Sequence, residues 1–262
     1  MELMVIGPFH LCRSAARVVV VLAVILSPAL RTIADDQITK NDGSVVTGQI
    51  VGASGGQAMI QTKTSTGGVA KFPIQITDIR SINMTVPPGV AAADAPGATS
   101  EQVIAALAPV VKQYAGLPVD WIVNAMARLG AAYSETGHPD QATAVYNDIL
   151  KNYGNSMYAT VAKAGMAGLS LKAGKVDEAL AAVQPIVDQA NKNIAPSPSE
   201  GSMYANAFIV RGQALESKKD YPAALEAYLT VTTMFYQNAA LATQADALAK
   251  KLRAAQPGVS VQ

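Results

Sequence analysis

The chain has 262 residues, half of them hydrophobic but only 5% aromatic, with 20 Lys and Arg against 19 Asp and Glu, and mean hydropathy +0.21. That length suits a helical domain with a small companion, and the near-zero charge leaves no electrostatic footprint for nucleic acid. A single cysteine excludes a disulfide framework.

The first 34 residues differ from the rest. Arg13 and Arg17 precede an apolar run, 18–26, that is too short to span a bilayer but fits the core of a secretory signal. Ser27-Pro28 breaks it, and Thr32-Ile33-Ala34 places small residues before Asp35-Asp36, so residues 1–34 are expected to be a signal peptide cleaved after Ala34, with Ala29 as a second choice. Cleavage removes Cys12, one of the two histidines, three arginines and Glu2, taking the formal charge from +1 to −1. A cysteine-free exported chain is expected in the periplasm or cell envelope of a bacterium, touching the membrane only if the signal stays uncleaved.

Residues 35–84 carry a β pattern: Val and Ile in short runs, punctuated by Asn41-Asp42-Gly43, Gly55-Gly56 and Gly67-Gly68. Asp42-Gly43 is a hairpin signal, and Gly48 allows a sharp bend in the strand after it. Ile76, Ile79 and Ile82 suggest a turn and a closing strand, which together make a small all-β barrel. On Asp42, Gly43, Gly48 and the isoleucine spacing, the segment resembles Sm-like and SH3-like barrels. Sm-like proteins commonly bind RNA, but the basic and aromatic surface for stacking bases is missing here, and no nucleic acid partner is expected. So small a barrel buries little surface and is expected to gain stability by docking on the helices or by self-association.

Residues 85–100, VPPGVAAADAPGATS with one further position, read as a Pro, Ala and Gly linker. As a flexible coil it would span roughly 20 Å, letting the domains on either side move independently unless an apolar interface joins them.

Residues 101–254 are helical in pattern, beginning with a helix over 101–114. Counting from Val123 as position 1, Met126 falls at 4, Leu129 and Gly130 at 7 and 8, Tyr133 at 11, Ala142 at 20, Tyr146 at 24 and Ile149 at 27, with Gly137-His138-Pro139-Asp140 turning the corner. Small residues sit where backbones meet, and large ones fill the space beside them. The segment resembles a tetratricopeptide repeat, a helical hairpin of about 34 residues with this pattern; it departs from the family at Gly154, where proline is usual. Aligned on the turn, Gly174-Lys175 opens a second copy with Met166-Ala167 at 7 and 8, Ser170 at 11, Ala179 at 20 and Val183 at 24. Lys219-Asp220 opens a third, with Gly212 at 8, Leu215 at 11, Ala224 at 20 and Tyr228 at 24. The turns are unevenly spaced, which places an insertion at 191–200 with Pro196 and Pro198 in a loop. Ser-Met-Tyr-Ala occurs at both 156–159 and 202–205. A final helix over 239–254 caps the array, its Lys250, Lys251 and Arg253 suited to the negative helix end, and 255–262 is expected to be a disordered tail. The fold class is thus α+β multidomain: about three tetratricopeptide-like repeats with flanking helices, preceded by the barrel.

Chemistry finds few candidates. After cleavage His138 is the only histidine, at a helix turn more typical of a solvated corner than a general base. No cysteine nucleophile and no zinc-ligand spacing occur, and the glycine-rich 52–56 lacks the Lys-Ser/Thr ending of a phosphate loop. Asp140 and Asp177-Glu178 fall in first turns, where carboxylates stabilise the positive helix end. No catalytic residue, metal or cofactor is expected; a carbohydrate-processing role would need paired carboxylates in a cleft.

The resemblance implies binding. In tetratricopeptide arrays, positions 2, 5, 9, 12 and 13 of each first helix face a concave groove. Here these are Asn124, Ala127, Ala131, Ser134 and Glu135; Val161, Ala164, Gly168, Leu171 and Lys172; and Asn206, Ile209, Gln213, Glu216 and Ser217. The amides of Asn124, Asn206 and Gln213 are suited to the backbone of an extended peptide, while Trp121, Tyr158, Tyr204, Phe235 and Tyr236 are expected to pack between helices. The implied function is a non-catalytic scaffold or adaptor for a protein or peptide partner. The alternative is a structural, oligomerising envelope protein assembling through its barrel.

Overall fold

The computed structural model describes residues 35–64, 67–154 and 156–261; the expected signal peptide lies outside them. The described residues form one compact unit. Five strands come first: β1 (Asp36–Lys40), β2 (Val45–Ser54), β3 (Gln57–Lys63), β4 (Val69–Gln75) and β5 (Ile79–Asn83), all antiparallel in the order β4-β3-β2-β1-β5. The expected hairpin forms at Asp42-Gly43. Gly43 takes φ +84°, and the Asp42 carboxylate accepts hydrogen bonds from the Ser44 backbone N–H (2.8 Å) and hydroxyl (2.6 Å), which hold its carboxyl below the usual range. At Gly48 a Cβ would stand 2.5 Å from the Gln61 carbonyl oxygen, so β3 crosses too closely for any side chain there.

The strands bend over one core of Ile38, Ile50, Ala58, Ile60, Ile74 and Ile79, but among the described residues β4 and β5 pair only inward and stay as two open edges. Pro73 in β4 has no N–H to offer a further strand, and a one-turn 3-10 helix (Ile76–Asp78) carries the chain across to β1. Asp36, 6% exposed, is tolerated because its carboxylate accepts from the backbone N–H groups of Ile50 (2.8 Å) and Thr85 (3.0 Å).

Nine helices follow among the described residues: α1 (Pro88–Ala93), α2 (Ser100–Tyr114), α3 (Asp120–Glu135), α4 (Pro139–Tyr153), α5 (Met157–Lys172), α6 (Val176–Ala190), α7 (Pro198–Ser217), α8 (Tyr221–Met234) and α9 (Ala239–Ala255). None is long and apolar enough to cross a membrane. The linker expected over 85–100 contains α1 and lies packed on α2. Pro88 starts the helix, alanines continue it, and Gly89 approaches so closely that a Cβ would stand 2.7 Å from the Ala106 carbonyl oxygen. Ala93 is buried, and Arg128 of α3 holds the Ala93 carbonyl and the Asp94 carboxylate. Thr99 then opens α2 with a reciprocal cap to Gln102.

An apolar interface joins the sheet to the helices. Leu117, in the α2–α3 loop, is fully buried in the sheet's own core. Gln113 Nε2 donates to the Val51 carbonyl (2.9 Å), and Gly52, at φ +149°, admits α2 where a Cβ would come within 2.7 Å of the Gln113 carbonyl oxygen. From the end of α4, the Tyr153 hydroxyl donates to the Leu117 carbonyl (3.0 Å) and accepts from Gly116 N–H (2.8 Å).

The helices pair as α3·α4, α5·α6 and α7·α8, and α3, α5 and α7 also touch in succession. One turn chemistry joins each pair. Gly137 (φ +77°), Gly174 (φ +78°) and Lys219 (φ +64°) take the left-handed conformation, and the next residue's N–H reaches back five residues: His138 to Tyr133 (2.8 Å), Lys175 to Ser170 (2.9 Å), Asp220 to Leu215 (3.0 Å). This closes each first helix by a Schellman motif. The N–H groups of Ala142, Ala179 and Ala224 then bond the carbonyls of His138, Lys175 and Asp220 (3.1, 3.1 and 3.0 Å), starting each second helix in one register.

Two boundaries differ from expectation. The insertion at 191–200 is only partly loop, because Ser197 caps α7 reciprocally with Glu200 and Pro198 becomes its first residue. The tail is not free either: α9 continues to Ala255, and Val259 packs against the cluster of Leu225, Tyr228 and Leu252.

Lys219 is the one non-glycine in the left-handed region among the described residues, where a side chain costs about 1 kcal/mol or more. Lys219→Gly is therefore expected to raise unfolding free energy by about 0.5 to 1 kcal/mol after the greater freedom of glycine in the unfolded chain is counted, measurable by urea denaturation. Alkali should act oppositely. Burial pushes the Tyr146 and Tyr153 hydroxyls up to about 12 from an ordinary 10.0, and Tyr228 further. The unfolded chain then loses protons that the folded chain keeps, so the stability is complete below pH 10 and falls as pH rises towards 12. Denaturation midpoints across this range, with tyrosinate absorbance followed in parallel, check it.

Candidate functional site

A groove of about 570 Å³ runs beside α3, α5 and α7. Helical geometry places every third or fourth residue on one face, and these faces converge because the first helices of the pairs are neighbours. All five residues anticipated on α3 line the groove, including Asn124, Ala131 and Glu135. On α5, Val161, Ala164, Gly168 and Lys172 do so, and on α7, Asn206, Ile209 and Gln213. Leu171, Glu216 and Ser217 do not. Glu216 is the correction that matters: its carboxylate accepts the Tyr228 hydroxyl (3.0 Å), so it belongs to α7–α8 packing.

The packing residues lie behind this surface. Gly130 faces the Tyr146 ring, and a Cβ there would stand 2.6 Å from Cε1; Gly212 does the same for Tyr228 at 2.4 Å. Leu129, Ala142, Ala179 and Ala224 are buried. Tyr133 is half-buried with its ring edge-on to His138, centroids 6.2 Å apart. Gly165, which the repeat pattern did not single out, clasps the other side of the ring, a Cβ there meeting Tyr146 Cζ at 2.3 Å.

Charge in the groove is matched from within. Arg128 is held by the α1 end and its burial lowers its pKa; the Lys172 ammonium donates to the Ser134 carbonyl (2.7 Å) and hydroxyl (3.0 Å); Glu135 accepts from the Ser100 hydroxyl. Of the lining residues Glu135 alone is a carboxylate, so the paired carboxylates of a sugar-cleaving site do not converge here. Among the described residues, no three His, Cys, Asp or Glu gather as metal ligands would.

Met157, Tyr158, Ser202 and Met203 also line the groove, contributed by the duplicated Ser-Met-Tyr-Ala. Tyr158 was expected in packing. It accepts from Asn124 Nδ2 (3.5 Å), and burial with nearby Asp120 raises its pKa. Its counterpart Tyr204 is fully buried, because the second copy sits one position later against its turn and so faces another way around the helix. Trp121 packs edge-on against Tyr114 and Phe235 against Tyr204, as the sequence suggested, whereas Tyr236 is 63% exposed. Arg128 was missed as well, since only its contact to α1 distinguishes it from a solvated helix residue. Comparison with protein-family models, with curated proteins and with solved structures finds no match.

The geometry separates packing from binding positions. Gly130→Ala is expected to cost about 1 to 3 kcal/mol by overpacking against Tyr146, despite alanine's better helix propensity. Asn124→Ala, at an exposed position, should leave the melting temperature unchanged while weakening ligand capture; thermal melts of both variants beside the parent check the assignment.

Proposed function

We propose that this chain is an exported, non-catalytic scaffold or adaptor of the tetratricopeptide type that holds a protein or peptide partner in the groove beside α3, α5 and α7. The observation that carries the reading is the convergence of residues from three equivalent helix faces on one groove floored by small residues and edged with amides. Left-handed turns at three equivalent positions, with the same reach-back hydrogen bond, support the repeat reading. The residue pattern over 1–34 supports export to a bacterial envelope.

Assembly through the β segment has less in its favour. Edge strand β4 offers Pro73 and an exposed Lys71, and edge strand β5 an exposed Arg80, features that discourage strand addition. The resemblance to Sm-like and SH3-like barrels supports a small β module, and the lack of a basic and aromatic surface in that segment's sequence argues against an RNA ligand.

A photo-crosslinking residue at Ala131 in the groove, compared with one at Glu226, exposed on α8 and outside it, tests the reading in intact envelopes. The expected outcome is a discrete crosslinked species from position 131 alone. The same product from both positions, or none from 131, removes the groove from the function.

A further inference from the structure

Five glycines lie in helices of the array: Gly201 sits in the first turn of α7, facing Gln237 and Phe235, and of the other four, Gly130, Gly165 and Gly212 each leave room for a tyrosine ring that a Cβ would meet at less than 3 Å. Gly168 does not. It lies well inside α5, where glycine weakens a helix relative to alanine, yet a Cβ there would meet nothing nearer than Val210 Cγ2 at 3.8 Å, an ordinary contact. Its backbone instead lines the groove, at the helix position equivalent to Ala131 on α3 and Gln213 on α7. A local cost with no internal compensation is expected at a functional surface.

The surroundings define what would rest there. Ala131, Ala164, Val161 and Ile209 present apolar surface. Arg128, Glu135 and Lys172 each already have a partner inside the protein, so the groove presents a ligand with no wholly unpartnered charge. Asn124 and Asn206 each commit one N–H, to the Tyr158 hydroxyl and the Ser202 carbonyl (3.0 Å), and each amide has a carbonyl oxygen besides. The Gln213 side chain has no hydrogen-bond partner among the described residues. Tyr158 is the one aromatic ring at the groove surface beside the Tyr146 ring that the glycines enclose, which is poor provision for stacking sugars and adequate for a peptide.

We infer that the groove takes an extended, uncharged peptide segment whose large apolar side chain rests on the bare backbone at Gly168, its flanking peptide groups hydrogen-bonded by Asn124, Asn206 and Gln213. This rests on the groove being a peptide site. The probes are acetylated and amidated octapeptide pools carrying an uncharged fluorophore, with a central Leu among Ser, Asn, Gln and Ala, and matched pools with Asp or Lys at the centre. Anisotropy titrations use the parent chain and the variants Gly168→Ala and Gly168→Leu. The Leu pool is expected to bind best, and Gly168→Leu to weaken it roughly tenfold or more by filling the floor. Gly168→Ala should melt higher than the parent and still bind more weakly, a combination that a structural glycine would not show. A lower melting temperature for Gly168→Ala overturns the role given to Gly168. Equal or tighter binding of the Asp or Lys pool, lost on Gly168→Leu, overturns the uncharged ligand while leaving the peptide groove standing. If no pool binds, or none responds to either variant, the peptide groove falls together with this inference.

Discussion

The helical array depends on one aromatic ring held in a slot made by glycines. Tyr146 of α4 lies against Gly130 of α3 on one side and Gly165 of α5 on the other, and at either position a Cβ would overlap the ring. A single ring therefore sets the spacing within one helix pair and the approach of the next. Gly212 and Tyr228 repeat the arrangement between α7 and α8. In the middle pair the equivalent residues are Ala167 and Val183, both buried, so a larger floor meets a smaller knob. The methyl added to the floor offsets part of the volume lost from the knob. The groove follows from this spacing, since its sides are the neighbouring faces of α3, α5 and α7.

The sheet is attached by a different logic. Its core takes Leu117 from the loop between α2 and α3, and Tyr153 at the end of α4 ties down both backbone groups flanking that residue. A sheet of five short strands buries little apolar surface alone. Borrowing a leucine from the helices supplies part of what it lacks and makes the junction rigid. Asp36 works at the same boundary from within, its carboxylate joining β2 to the chain leaving β5.

Much of this was legible in the sequence because it is local. Gly137 and Gly174 announce left-handed turns by composition, and Asp42-Gly43 announces a hairpin. Lys219 is legible only by alignment with the other two turns, since nothing about a lysine predicts positive φ. What escaped depends on distant partners. The Pro, Ala and Gly of 85–100 weigh towards a coil until Ala93 is seen buried and Asp94 is seen meeting Arg128. Glu216 occupies a groove position by counting, but Tyr228, twelve residues on, claims its carboxylate. Alternation shows that strands exist; it does not show which edges stay unpaired. Gly165 fell outside the repeat pattern because the ring it accommodates comes from the preceding helix pair.

Arg128 joins these separate parts. Its guanidinium lines the groove, is partly desolvated, and is satisfied by the carboxylate and carbonyl at the end of α1. With Arg128 39% and Asp94 60% exposed, the pair is screened by solvent and contributes modestly. The contact fastens a segment with the composition of a linker to α3, at a residue that itself lines the groove. An anionic ligand there would meet a guanidinium that Asp94 already partly neutralises. Arg128 therefore touches both the groove and the segment that leads back to the sheet.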